Sequence, residues 1–119
     1  MKLIAGVVFL VLAGLLSRAE GQDDSVPKRP INLSVKSEVK GAVAVARLKW
    51  QDRSDNELGF EILRSKDGKD YAVVGFVGSN TERHEDEVGR YVNGTFVYQV
   101  RAFNEHGKSE ESNAASVWF

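Results

Sequence analysis

The chain contains no cysteine. That absence excludes a disulfide framework, a thiolate nucleophile and a lipid-modified cysteine behind a leader. Whatever core the chain builds must hold without cross-links. Proline is almost missing as well, with Pro27 and Pro30 the only two, so nothing downstream interrupts extended backbone by removing an amide donor. Neither charge sign is in excess, at 16 Lys and Arg against 17 Asp and Glu. A nucleic-acid binder normally shows a basic stripe or a basic balance, so no DNA or RNA partner is expected. From Ile31 onward no stretch of about ten residues carries apolar side chains at helical spacing. The one long apolar run lies earlier, at Leu3–Leu16.

That run has the layout of a secretory leader. Lys2 adds a positive charge beside the amino terminus, Leu3–Leu16 follow without a polar side chain, and Ser17-Arg18-Ala19 sets small residues at alternate positions. As a helix the apolar stretch reaches about 21 Å, short of the roughly 30 Å hydrocarbon core of a bilayer. Cleavage after Ala19 is expected, with Gly21 as the rival site and a retained anchor as the weaker alternative. Removing residues 1–19 leaves 100 of the 119 residues and deletes Lys2 and Arg18, so the remainder is acidic by about three charges. One domain of that length can hold a core of its own.

Residues 20–29 carry one large apolar side chain among charged and small residues and read as a flexible linker. The domain is expected over 30–119, as short apolar alternations punctuated by turn residues. Ile31, Leu33 and Val35 open a first strand that ends near Lys40-Gly41. Ala44, Ala46, Leu48 and Trp50 share one face of a second strand, and Phe60, Ile62 and Arg64 one face of a third. Asp67-Gly68 is the strongest hairpin signal in the chain and leads into a fourth strand over Tyr71–Val77. Thr81–Val88 is a short, highly charged fifth. Phe96, Tyr98, Val100 and Ala102 alternate in a sixth, and a last strand covers about Ser112–Trp118. Seven strands at intervals of about ten residues imply an all-β, two-sheet sandwich. Its expected core is Trp50, Phe60, Ile62, Phe96, Tyr98 and Val100.

These residues resemble a fibronectin type III domain, an immunoglobulin-like fold. Pro30-Ile31-Asn32-Leu33 is similar to the opening of that family's first strand and Leu48-Lys49-Trp50 to its second. Tyr98-Gln99-Val100-Arg101-Ala102-Phe103-Asn104, followed by Gly107 and Ser109, resembles the sixth strand and the loop after it. The series Asp52, Ser54, Asn56-Glu57, Gly59-Phe60, Ile62, Arg64-Ser65 resembles a version common in bacterial exported proteins. The chain departs from the pattern at Phe96, where relatives often carry the tyrosine of the corner before the sixth strand. The resemblance implies an exported, non-enzymatic binding or spacer module acting through protein contacts, secreted, periplasmic or on the cell surface, as a monomer without cofactors. Neither Arg-Gly-Asp nor a Trp-Ser-x-Trp-Ser motif occurs. By the family's topology the loops 51–58 and 104–110 lie near each other, and Arg53, Asp55, Asn56, Glu105, His106 and Lys108 are the candidate binding residues.

Other chemistry is weakly supported. His84-Glu85-Asp86-Glu87 is dense in potential ligands, yet on a strand His84 and Asp86 face opposite to Glu85 and Glu87. No metal site is expected, and Asp86 is expected to cap a turn. Asp52–Leu63 falls short of a calcium loop, with Glu57 where glycine is needed and Leu63 where a bidentate glutamate is needed. Asx turns are the better account of that loop. With no cysteine and with both histidines in ordinary polar settings, no catalytic residue is assigned. Asn32 and Asn93 sit in glycosylation sequons. The exposed aromatics Tyr71, Tyr91 and Trp118 suggest an alternative, a carbohydrate-binding accessory module.

Overall fold

The computed structural model describes residues 25–119; the leader and the first half of the expected linker lie outside them. The described residues contain no helix and eight strands: β1 (Ile31–Lys40), β2 (Val43–Gln51), β3 (Gly59–Lys66), β4 (Ala72–Gly78), β5 (Arg83–Arg90), β6 (Thr95–Asn104), β7 (Gly107–Lys108) and β8 (Ala115–Trp118). They form two sheets, β1-β2-β5 and β4-β3-β6-β7, with β8 also paired to β6. Every pairing is antiparallel. The architecture is the expected immunoglobulin-like sandwich.

Period-two alternation places the core. Ala46, Leu48 and Trp50 of β2 face Phe60 and Ile62 of β3 and Phe96, Tyr98, Val100 and Ala102 of β6, all buried. The Trp50 and Phe60 rings meet at 5.6 Å and 57°. Buried Trp50 Nε1 has no acceptor among the described residues, a cost of about 1–3 kcal/mol that the ring's apolar burial outweighs. The Asp67-Gly68 turn has φ of 52° and 77°, closed by the Lys69 amide donating to the Lys66 carbonyl at 3.0 Å. Two positive φ values match the twist of β3 and β4.

Four expectations need correction. A two-residue strand, β7, forms within the loop expected over 104–110, and the last strand shortens to Ala115–Trp118, giving eight strands rather than seven. After β7 the backbone leaves β6, and serine hydroxyls accept in place of carbonyls: Ala102 N donates to Ser109 Oγ at 2.9 Å and Val100 N to Ser112 Oγ at 3.0 Å. Asn113 then bonds both the amide and the carbonyl of Leu33, at 2.9 and 3.0 Å, joining the last segment to β1 of the other sheet. Second, Asp86 caps no turn. It points inward from β5 and accepts from Arg64 Nη1 at 2.7 Å and from Tyr98 Oη at 2.6 Å. Third, residues 25–29 do not stand free of the domain. Pro27 is buried, Arg29 pairs with Glu110, and the Ser25 carbonyl accepts from Asn56 and Asn104. Proline loses little entropy on ordering, which favours this docking. Fourth, a last strand that stops early implies that Val117, Trp118 and Phe119 are partly uncovered, yet Val117 is buried against the core.

Candidate binding surfaces

The two ends of the sandwich differ in chemistry. At the end where β6 finishes, loops 51–58 and 104–107 meet, as the topology required, and are stitched by their own polar groups. Asn104 Nδ2 donates to the carbonyls of Ser25 and Asn56 at 3.0 and 3.2 Å, and Leu58 N donates to Phe103 O at 2.8 Å. Asp52 Oδ1 accepts from the Ser54 amide at 2.9 Å, an Asx turn. Buried Glu57 accepts from Ser54 Oγ and from the Asn80 amide, each at 2.9 Å. Burial pushes its carboxyl up, but the Asn80 amide and the other donors hold it below the ordinary glutamate value. Asp52 moves the other way, raised by burial and by the Glu57 carboxylate beside it.

The six candidate residues spread around this end. Arg53, Asp55, Glu105 and His106 are exposed, and His106 Nε2 lies 4.0 Å from Glu105 Oε2. Asn56 is half-buried, its Nδ2 donating to the Ser25 carbonyl at 3.0 Å. Lys108 turns away onto the outer face of the larger sheet, where its Nζ meets Glu61 Oε2 at 3.0 Å. Arg101 Nε meets Glu61 Oε1 at 2.8 Å. Burial would raise the Glu61 carboxyl, but the bonds from Lys108 and Arg101 leave it below its usual range.

Between the sheets, Arg64, Asp86 and Tyr98 form a polar link. Burial first, and then the Asp86 carboxylate, push the Tyr98 hydroxyl well above its ordinary value. Burial disfavours the Arg64 charge, and Asp86 more than restores it. Phe96 packs edge-on against Phe119 at 5.8 Å and lies under the Arg64 guanidinium at 5.7 Å. The corner position thus keeps apolar packing in place of a hydroxyl bond.

The opposite end carries a groove of about 700 Å³ between the β1–β2 turn, the β5–β6 loop and the C-terminal residues. Its rim bears Val39, Tyr91 and Trp118, exposed by 62, 82 and 76%. Tyr91 sits at φ 54°, a region that bulky side chains avoid, held there by its amide donating to Ala42 O at 3.0 Å. The Arg90 guanidinium lies 5.6 Å from the Tyr91 ring centre. Tyr71 does not line this groove. Sequence reasoning grouped Tyr91 and Trp118 with Tyr71 as exposed aromatics and missed Val39. The available signal was Val39 at the far end of the first strand, next to the Lys40-Gly41 turn and beyond the apolar residues Ile31, Leu33 and Val35 that open it.

No family model matches the chain, and no curated protein does. Solved structures are similar. Domains A168–A170 of titin match with a TM-score of 0.65 and 18% identity over 78% of this chain, which spans 32% of that fragment. An Fn3-like protein from Clostridium thermocellum matches with a TM-score of 0.60 and 22% identity, over 77% of this chain and 92% of that one. An FN3 domain of human collagen XX matches with a TM-score of 0.59 and 17% identity, over 85% of this chain and 99% of its own. At such identities the likeness establishes the fold, and the described residues have that of a fibronectin type III domain.

Proposed function

We propose that this protein is an exported, non-enzymatic binding module that contacts a partner protein through the apolar end of its sandwich. The observation that carries this reading is the groove lined by Val39, Tyr91 and Trp118. Three separate segments bring large apolar side chains to one exposed place, and one of them accepts backbone strain to do so. Exposed apolar patches are costly for solubility and mark contact surfaces, and strain persists where the surroundings impose it. The leader-like Met1–Ala19 supports export. The absence of a catalytic reading rests on the histidines: His84 packs over Gly75 at the sheet edge, and His106 lies in the polar loops at the far end.

The test places a photo-crosslinking residue at position 91 or, for comparison, at position 53, and exposes the protein to cell-envelope extract. The expected result is one defined adduct from position 91 and none from 53. Adducts from 53 alone would move the contact to the loops around Arg53 and Asp55. A second reading, a glycan platform, is favoured by the two aromatic rings and Arg90 on one groove, since sugars stack on aromatic faces and bond to guanidinium groups. Glycan-array binding that vanishes in Trp118→Ala with the fold retained would select it. Mass spectrometry of the secreted product tests cleavage after Ala19.

A further inference from the structure

The outer face of the three-stranded sheet carries an arrangement that the proposed groove does not use. Its residues lie in rows across β1, β2 and β5. One row is Ser34, Lys49 and Arg83; the next is Lys36, Arg47 and Glu85; the third is Glu38, Val45 and Glu87. Two consecutive rows therefore each set one cation directly opposite another, Lys49 with Arg83 and Lys36 with Arg47. Like charges opposed across strands are destabilising. Arg47 is compensated, by Glu38 at 2.9 Å and Glu85 at 3.3 Å. Lys36, Lys49 and Arg83 are exposed and, among the described residues, have no carboxylate partner. They line a shallow depression of about 460 Å³ together with Ser34, Arg47 and Glu85.

We infer that this face is a docking site for an extended acidic polypeptide segment with carboxylates on every second residue. The geometry carries the assignment. Opposed side chains in a row are about 5 Å apart, so one carboxylate can sit between Lys49 and Arg83 and a second can meet Lys36, Arg47 being already held by Glu38 and Glu85. Successive same-face residues of β2, Arg47 and Lys49, are separated by about 6.8 Å, the spacing of residues i and i+2 in any extended chain. A peptide laid along β2 with acids at i and i+2 therefore presents one carboxylate to Lys49 and Arg83 and the next to Lys36. Consecutive acids point to opposite sides and can satisfy only one. Charge complementarity comes from the three uncompensated cations. The fixed spacing comes from a rigid sheet and distinguishes this surface from scattered lysines.

The experiment measures binding of the full-length protein to two synthetic peptides of equal composition by fluorescence anisotropy. One has glutamate alternating with threonine, and the other has the same glutamates in one block. The alternating peptide is expected to bind about tenfold more tightly. Its binding should weaken as salt rises, because these charges are exposed. The double variant Lys49→Ser/Arg83→Ser should lose that preference, and the equally charged control Lys28→Ser/Lys69→Ser should keep it. Thermal melts of both variants confirm that each remains folded. Equal binding of the two peptides, no binding at millimolar concentration, or equal loss in the control overturns the proposal. So does tighter binding of polygalacturonate than of the alternating peptide, which would assign the face to an acidic polysaccharide.

Discussion

One end of this sandwich spends its polar groups on itself, and the other leaves its apolar groups unspent. Around Glu57 and Asn104, the carbonyls of Ser25 and Asn56, the Asn80 amide and the Ser54 hydroxyl are engaged by neighbouring segments. Around Tyr91 and Trp118 the side chains are large, apolar and open to water. Polar loops advertise binding in a sequence because their composition matches that of recognition loops. Folding decides whether that capacity is left over. Here the stitched end serves stability, and the open end is where contact gains most.

The largest effect expected from breaking this contrast is at the stitched end. Glu57→Ala leaves the Asn80 amide without its acceptor and the Ser54 hydroxyl with Asp52 alone, and should cost about 1–3 kcal/mol, read from urea denaturation. Acid should act on the same end and on the outer face of the larger sheet. Glu57 and Glu61 both titrate below the ordinary glutamate value of 4.5, so the stability they contribute is present above that pH and is lost as pH falls through their folded values. Asp52, shifted upward, has the opposite sign and offsets part of the loss. The acid limb of a stability–pH profile should be shallower in Glu57→Gln than in the parent. At the open end the sign reverses. Tyr91→Asn places a residue tolerant of positive φ at a strained position and should stabilise the fold by about 0.5–1 kcal/mol while abolishing capture of the partner from envelope extract, or glycan binding. Trp118→Ala should change stability by less than about 0.5 kcal/mol and still remove the contact. A destabilising Trp118→Ala would mean that this ring closes the fold instead of facing a partner.

Most of the fold was legible because alternation is a local signal. Leu48-Lys49-Trp50 and Phe96–Ala102 each declare which face is dry, and Asp67-Gly68 declares its own turn. Three features were not legible, each for its own reason. Asp86 points inward because Arg64 and Tyr98 reach it from the other sheet, and nothing within the charged run His84–Glu87 encodes that. The break between β7 and β8 depends on Ser109, Ser112 and Asn113 standing in for main-chain groups, and serine and asparagine in sequence look the same when they merely face water. The groove is an encounter of Val39, Tyr91 and Trp118 from distant parts of the chain. The candidate residues Arg53, Asp55, Asn56, Glu105 and His106 lie at one end, and sequence could not tell which were already committed. Lys108 is drawn off by the buried Glu61.

The bonding of Asn113 to Leu33 bears on how the molecule would carry load. β1 runs from the stitched end toward the open end, and so does the last segment, because both β1 and β6 are antiparallel to their neighbours and β8 is antiparallel to β6. Tension applied through the two termini would drag these parallel segments past each other. The pair of bonds between one amide side chain and one peptide unit would be loaded in shear, both at once. Such a rivet yields abruptly, so Asn113→Ala should lower the rupture force of the domain under stretching far more than its equilibrium stability.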